Sequence, residues 1–314
     1  GSAVAVDPLF TGITGNGGRT WTEQTRPETT QTLAFAGADG YQFWSTSLGT
    51  DTSADGGEQW APLPALPAPL DAQASSLTWQ AAAPSALFGY DESSGQAWAS
   101  ADGAATWTAS TVPGSAANPV LAVALGGGGA AYAVTGPGTD CLSPAELKKV
   151  QKLKPGWTPP SGASVLYASS DAGARWNAAG LVIPFGVQIG AAMAASSSQI
   201  AIIDACGRLE LSKDAGQHWS AQSLGNAPIC AVSMLGSQVW LYCQIVDQTV
   251  VTTWSLYSAD RGATWLAYRL PAPADQALGI FLTGAGSAVM PIGGALWRTS
   301  DGGKSWTEEW IAPR

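Results

Sequence analysis

Histidine is nearly missing from this chain of 314 residues; His218 is the only one. That one lies inside a predicted turn, so no Ser-His-Asp constellation can assemble, because the triad needs an imidazole between nucleophile and acid. Cysteine is almost as scarce, at four residues, and no C-x-x-C spacing occurs, so no zinc site is expected. Four cysteines without that spacing suit an oxidising compartment instead. Charged residues make up 12 % of the chain, against a usual share of about 25 %. The balance is acidic: 14 Lys and Arg against 23 Asp and Glu leave a formal net charge of −9. Nucleic acid is thereby excluded as a partner, since phosphate binding calls for clustered Lys and Arg. No apolar run approaches the ~18 residues of a membrane-spanning helix. The opening Gly1-Ser2 resembles a cloning remnant, which leaves open whether a signal peptide or anchor was removed before it.

What is present is apolar and periodic. Hydrophobic residues form 46 % of the chain, and 15 Trp outnumber six Phe. Seven octets end in Trp: TGNGGRTW (14–21), SADGGEQW (53–60), SADGAATW (100–107), SSDAGARW (169–176), SKDAGQHW (212–219), SADRGATW (258–265) and TSDGGKSW (299–306). The Trp-to-Trp steps are 39, 47, 69, 43, 46 and 41 residues. Five of them match one unit of about forty-odd residues, the length of a four-stranded propeller blade. The 69-residue step carries an insertion. Between octets, short apolar or alternating runs are punctuated by Gly, Ser and Pro, as many short antiparallel strands require. In the sixth unit the four strands are expected at 227–234, 238–245, 250–258 and 264–270. The predicted architecture is all-β: a single domain over residues 1–314, forming a seven-bladed β-propeller of four-stranded antiparallel blades. Six blades is the alternative, because the first unit has only residues 3–25.

The octet has the chemistry of a hairpin turn. Ser or Thr at its first position and Asp at its third can bond the backbone N–H groups of the turn. Gly at the fifth supplies a positive φ without steric cost. Trp at the eighth buries a large surface as the next strand opens. Asn16 replaces Asp in the first octet, and Ala104 replaces Gly in the third, where strain is expected. The pattern resembles the Asp-box, or BNR, repeat S-x-D-x-G-x-x-W of sialidases, sortilin-type receptors and photosystem II assembly factors. That resemblance implies a turn joining the two outer strands of each blade, away from any active site. The structural residues are then Asp55, Trp60, Asp102, Trp107, Asp171, Trp176, Asp214, Trp219, Asp260, Trp265, Asp301 and Trp306.

Alternating strand direction puts the octets and the first-to-second-strand turns on one face. The second-to-third turns and the links between blades lie on the other. That second face collects Asp91, Glu92, Asp140, Asp204 and Asp247, with Glu28, Asp71 and Asp275 in the links. Asp91, Asp140, Asp204 and Asp247 are the ligand-binding candidates. They would form an acidic cup for a cation, a sugar or a basic partner, set against the plainer reading that polar loops keep a protein soluble. No cofactor is expected, calcium being the one ion such a face would take, and the chain is expected to be a monomer.

The insertion, about 137–162 in the fourth unit, contains CLSPAELKKVQKLKPGW (141–157). Ser143-Pro144-Ala145-Glu146 is a capping box with Pro at the first helical position, and Pro155-Gly156 ends the helix. Lys148, Lys149, Lys152 and Lys154 make it basic, a solvated face or else a docking element over the acidic face. If Gly236-Ser237 is a two-residue turn, Leu235 faces Gln238 and Cys230 faces Cys243, about 4.5 Å apart at Cα, within disulfide range. Cys141 and Cys206 remain, both in second-to-third-strand loops of consecutive blades, and are expected to pair.

Two functions follow as expectations. The first is a non-catalytic secreted, periplasmic or cell-surface propeller that recognises a protein or glycan through the face opposite the octets. The alternative is a glycoside hydrolase with an inverting carboxylate pair on that face. A sialidase would need an arginine triad and an Arg-Ile-Pro motif. Here LVIPF (181–185) has Ile-Pro without the Arg, and Arg175 and Arg261 lie inside octets.

Overall fold

The strands of this chain are short, and each pairs with its neighbour in sequence. The computed structural model describes residues 3–6, 11–14, 22–24, 30–36, 41–46, 49–53, 61–62, 77–83, 86–92, 94–102, 105–138, 152, 163–188, 191–224, 229–247, 250–270, 280–292 and 295–311. Among these residues the strands form seven antiparallel sheets, one of three strands and six of four. In chain order they span 3–24, 30–62, 78–111, 120–182, 193–223, 229–269 and 281–311. From the second sheet to the seventh, the first strand of each sheet lies beside the first strand of the next. The strand Ala3–Val6 of the first sheet lies beside Ser287–Ile292 of the seventh. Helical backbone among the described residues is confined to a 3₁₀ turn at Gly127–Gly129 and to Lys152. Lys152, which is exposed, is the one described residue of 139–162, so the expected insertion helix otherwise lies outside the described residues.

From the third sheet to the seventh, consecutive sheets pack face to face, which explains the apolar composition of their strands. One cluster joins Phe88, Tyr90 and Ala97 of the third sheet to Val120, Val123 and Ala133 of the fourth. Others join the fourth to the fifth, the fifth to the sixth and the sixth to the seventh. A strand buried on both faces reads as a continuous apolar run. Thus Ile200–Ile203 (IAII) is buried at every position, and Val120–Leu125 (VLAVAL) at all but the last. Outer strands show the reverse: Thr108–Thr111, Ser220–Ser223 and Leu266–Arg269 are exposed at three positions of four.

The sixth sheet follows the expected pattern, with strands Ile229–Leu235, Gln238–Asp247, Val250–Ser258 and Leu266–Arg269. Leu235 pairs with Gln238 across Gly236-Ser237, and Cys230 pairs with Cys243. These two cysteines form a disulfide with Cα atoms 4.1 Å apart.

Every octet with a described turn joins the third strand of its sheet to the fourth. In the last four octets the same bonds recur. The first-position hydroxyl (Ser169, Ser212, Ser258, Thr299) donates to the Asp Oδ1 at 2.8–2.9 Å. The same oxygen accepts the N–H of the fifth-position Gly at 2.8–3.0 Å. Asp Oδ1 also accepts the backbone N–H of the seventh residue at 2.8–3.0 Å. Three of the Trp indoles (Trp219, Trp265, Trp306) donate to the fifth-position carbonyl at 2.9–3.1 Å. Residues 15–21 and 54–60, hence Asn16, Asp55 and Trp60, lie outside the described residues, as does Ala104.

Two sets of bonds carry the octet beyond its own turn. The fourth-position N–H donates to the first-to-second-strand turn of the same sheet: Ala172 to Gly129, Ala215 to Ser198, Arg261 to Ser237 and Gly302 to Gly286, at 2.7–2.9 Å. The two kinds of turn therefore share a face, as strand alternation required. Outer strands also reach the next octet, Ser110 Oγ donating to Gly173 O and Gln222 Nε2 to Gly262 O, both at 2.7 Å. The fourth position takes a left-handed backbone, with φ of 56° at Ala172, 58° at Ala215 and 63° at Arg261. A side chain there costs about 1–2 kcal/mol, part of which glycine returns through unfolded-chain entropy. Arg261→Gly is therefore expected to stabilise the protein by about 0.5–1 kcal/mol. Urea unfolding would measure this, and a lowered midpoint would count against the strain.

Candidate functional site

The described octet carboxylates are exposed or half-buried, and each is spoken for. Asp Oδ2 takes a side-chain donor from the seventh position in each of five octets: Thr106, Arg175, His218, Thr264 and Ser305, at 2.5–2.9 Å. Hydrogen bonds to the ionised form hold these acids low. The His218 amide and ring hold Asp214 at about 2. The Thr264 hydroxyl and amide do the same for Asp260. Burial pushes Asp301 up, but the Ser305 hydroxyl and amide outweigh it and hold it at about 2. Asp102 and Asp171 are also lowered, Asp102 through the Thr106 hydroxyl and Asp171 through Ser169 and Arg175 against the effect of burial.

A folded pKa below the unfolded one stabilises the protein above the unfolded value. That stability is lost as pH falls through the folded one. The window here runs from about 4, the free aspartate value, down to about 2 for Asp214, Asp260 and Asp301. The melting temperature is therefore expected to fall across that window. Asp260→Asn should make the fall shallower; an unchanged slope would mean that the turn bonds do not persist in solution.

On the opposite face, Asp91 and Asp204 both sit in second-to-third-strand turns. Asp91 Oδ1 accepts the Ser94 N–H at 3.3 Å, and its carbonyl accepts the Gly95 N–H at 2.8 Å. Asp204 is 2 % exposed. Its Oδ1 accepts the Cys206 and Arg208 N–H groups, each at 2.8 Å, and its Oδ2 the Arg208 Nε at 2.7 Å. Its carboxylate is enclosed by its own turn and does not open onto the face. Asp247 ends the second strand of the sixth sheet, pairing with Val250, and Asp140 lies outside the described residues. Among the described residues, no three His, Cys, Asp or Glu side chains gather as a metal site would need.

The carboxyl that shares Arg208 with Asp204 is Glu210, which the pattern of loop acids does not include because it lies within the strand Arg208–Ser212. Arg208 Nη2 reaches Asp204 Oδ2 at 2.7 Å and Glu210 Oε1 at 3.3 Å. Cys206, in the same turn, is disulfide-bonded; Cys141, its expected partner, lies outside the described residues.

No protein-family model matches the chain, and no curated protein does. Among solved structures, the chain is similar to YCF48 bound to a D1 peptide and to YCF48 from Cyanidioschyzon merolae. Each is 13 % identical at a TM-score of 0.56, over 90 % of this chain and 83 % and 86 % of theirs. A GH74 xyloglucanase from Xanthomonas campestris matches at a TM-score of 0.41 and 15 % identity, over 95 % of this chain and 62 % of that one. The protein is a β-propeller, and its likeness to YCF48 is one of fold.

Proposed function

We propose that this propeller is a non-catalytic recognition scaffold, seven-bladed and outside the cytoplasm, that binds a protein or glycan through the face opposite the octets. The observation that carries the reading is the asymmetry between faces. The octet face repeats one set of bonds through four consecutive sheets. The opposite turns differ from sheet to sheet, from the capped loops at Asp91 and Asp204 to the long segment between Thr135 and Val165. A fold that varies its loops on one end of a constant frame places recognition there. The octets read as Asp-box turns that build the frame. Contact between Ala3–Val6 and the seventh sheet supports ring closure at seven blades. The Cys230–Cys243 disulfide supports an oxidising compartment. Among the described residues no helix is long and apolar enough to cross a membrane. YCF48, a neighbour in fold, has been captured with a peptide, which favours a protein ligand.

Peptide and glycan arrays probed with the purified protein, with products followed by mass spectrometry, test the reading. Stable capture without turnover is expected. Cleavage of a glycosidic bond that is lost in Asp91→Asn would replace it with the hydrolase.

A further inference from the structure

We propose that Asp204 and Glu210 share one proton, and that its loss loosens the 204–208 turn, so that the face opposite the octets responds to pH. This goes beyond recognition as such and does not depend on it. Both carboxyls are buried, at 2 % and 3 % exposure, and one guanidinium serves both. Arg208 is itself about half in water, its side chain 47 % exposed. Asp204 accepts two backbone N–H groups and the Arg208 Nε. Glu210 has the weaker hold on Arg208, at 3.3 Å, and the two carboxylates converge on the same guanidinium nitrogen, Nη2. The arrangement satisfies both groups if Glu210 is neutral and donates its proton to the Asp204 carboxylate. Ionising Glu210 turns that bond into contact between like charges in a poorly hydrated place.

The surroundings offer little relief. Glu210 pairs with Ile202 on one side and Ala221 on the other. Ile202 packs into the apolar cluster that includes Phe185, Val187 and Trp219. Among the described residues, Arg208 and Asp204 are the charged groups acting on Glu210. Cys206 does not titrate, being disulfide-bonded. Burial pushes Glu210 up, and Asp204 adds to this, while Arg208 draws it back. A raised folded pKa means stability gained as pH falls through it, the opposite of the octet acids. The Cys206, Gly207 and Arg208 amides, which all donate to Asp204, report the state of the turn.

The test is a carboxyl-carbon NMR titration of the whole protein, with amide hydrogen exchange followed over the same pH range. Glu210 is expected to titrate above the range of a free glutamate. Protection of the Cys206 and Arg208 amides, corrected for intrinsic rates, should drop about tenfold for each unit of that elevation as pH rises through the midpoint. Glu210→Gln keeps a neutral donor and should remove the drop. A native midpoint at or below ~4.3 overturns the proposal, as does protection that stays flat through the midpoint or a drop that survives in Glu210→Gln. Should Glu210→Gln fail to fold, the native titration and exchange decide alone.

Discussion

Gly173→Ala is expected to destabilise the protein by about 2–5 kcal/mol, more than the same change in any other described octet. Two effects combine at this fifth octet position. Its backbone has φ +92°, a conformation that L side chains rarely adopt. An added Cβ would also lie 2.3 Å from Phe88 Cε2 and 2.6 Å from Cδ2. Phe88 is fully buried and meets the Trp176 ring edge-on, so it has nowhere to withdraw. The left-handed strain is worth about 1–2 kcal/mol and the overpacking about 1–3. At Gly216 and Gly262 the obstacles are the ends of Leu166 and Leu211, which can swing aside, so those substitutions should cost less. Calorimetric or urea unfolding of Gly173→Ala checks the figure, and a loss below about 1 kcal/mol would show that the octet does not press on the preceding sheet as described. Ala172→Gly, one residue earlier, should act in the opposite sense.

Trp240→Ala carries the second large effect, about 3–5 kcal/mol. Trp240 is 1 % exposed and lies between the sixth and seventh sheets. Its ring centroid is 4.6 Å from that of Tyr257 and 6.5 Å from that of Trp306. Removing it takes away transfer energy, leaves a cavity between two sheets and breaks two aromatic contacts worth about 0.5–1.5 kcal/mol each. The five described octet tryptophans are only partly buried, so Trp265→Ala should cost less, about 1–3 kcal/mol. Equal losses at 240 and 265 would mean that the octet Trp, not the strand Trp, anchors the sheet interface.

That ranking reverses what the repeat alone suggests. A periodic Trp draws the eye, but periodicity reports a turn needed once per sheet, whereas burial depends on which strands face each other. Strand pairing was readable wherever turn chemistry was explicit: Gly236-Ser237 sets the register of Ile229–Leu235 against Gln238–Asp247, and the Cys230–Cys243 pairing follows from it. The position of each described octet between third and fourth strands is the one that the resemblance to the Asp-box repeat implied. Two features were legible but overlooked. Every seventh octet residue (Thr20, Gln59, Thr106, Arg175, His218, Thr264, Ser305) carries a side-chain donor, and the five described ones aim it at Asp Oδ2. The left-handed fourth position was masked by Ala and Arg, which conceal a backbone that Gly302, its equivalent in the last octet, announces openly.

The candidate site was less legible, because a loop acid looks the same in sequence whether it faces solvent or caps its own turn. Asp204 is of the second kind. Its bonds to Cys206 and Arg208 depend on Gly207 at φ 71° bringing the chain back around it, which a list of acidic residues does not reveal. Glu210 was invisible for the complementary reason, sitting at a strand position where an apolar side chain is the rule.

On the proposed division of labour, one face builds the fold and the other face recognises. Titration calorimetry of a ligand from the arrays against Asp260→Ala and Asp91→Asn tests it most directly, with melting temperatures measured on the same samples. Asp260→Ala removes the acceptor of the Thr264 amide and hydroxyl, so its melting temperature should drop while affinity stays unchanged. Asp91→Asn keeps an acceptor for the Ser94 N–H, so its melting temperature should hold while affinity falls. Loss of affinity in Asp260→Ala at unchanged stability, with full binding by Asp91→Asn, would contradict the assignment of the two faces.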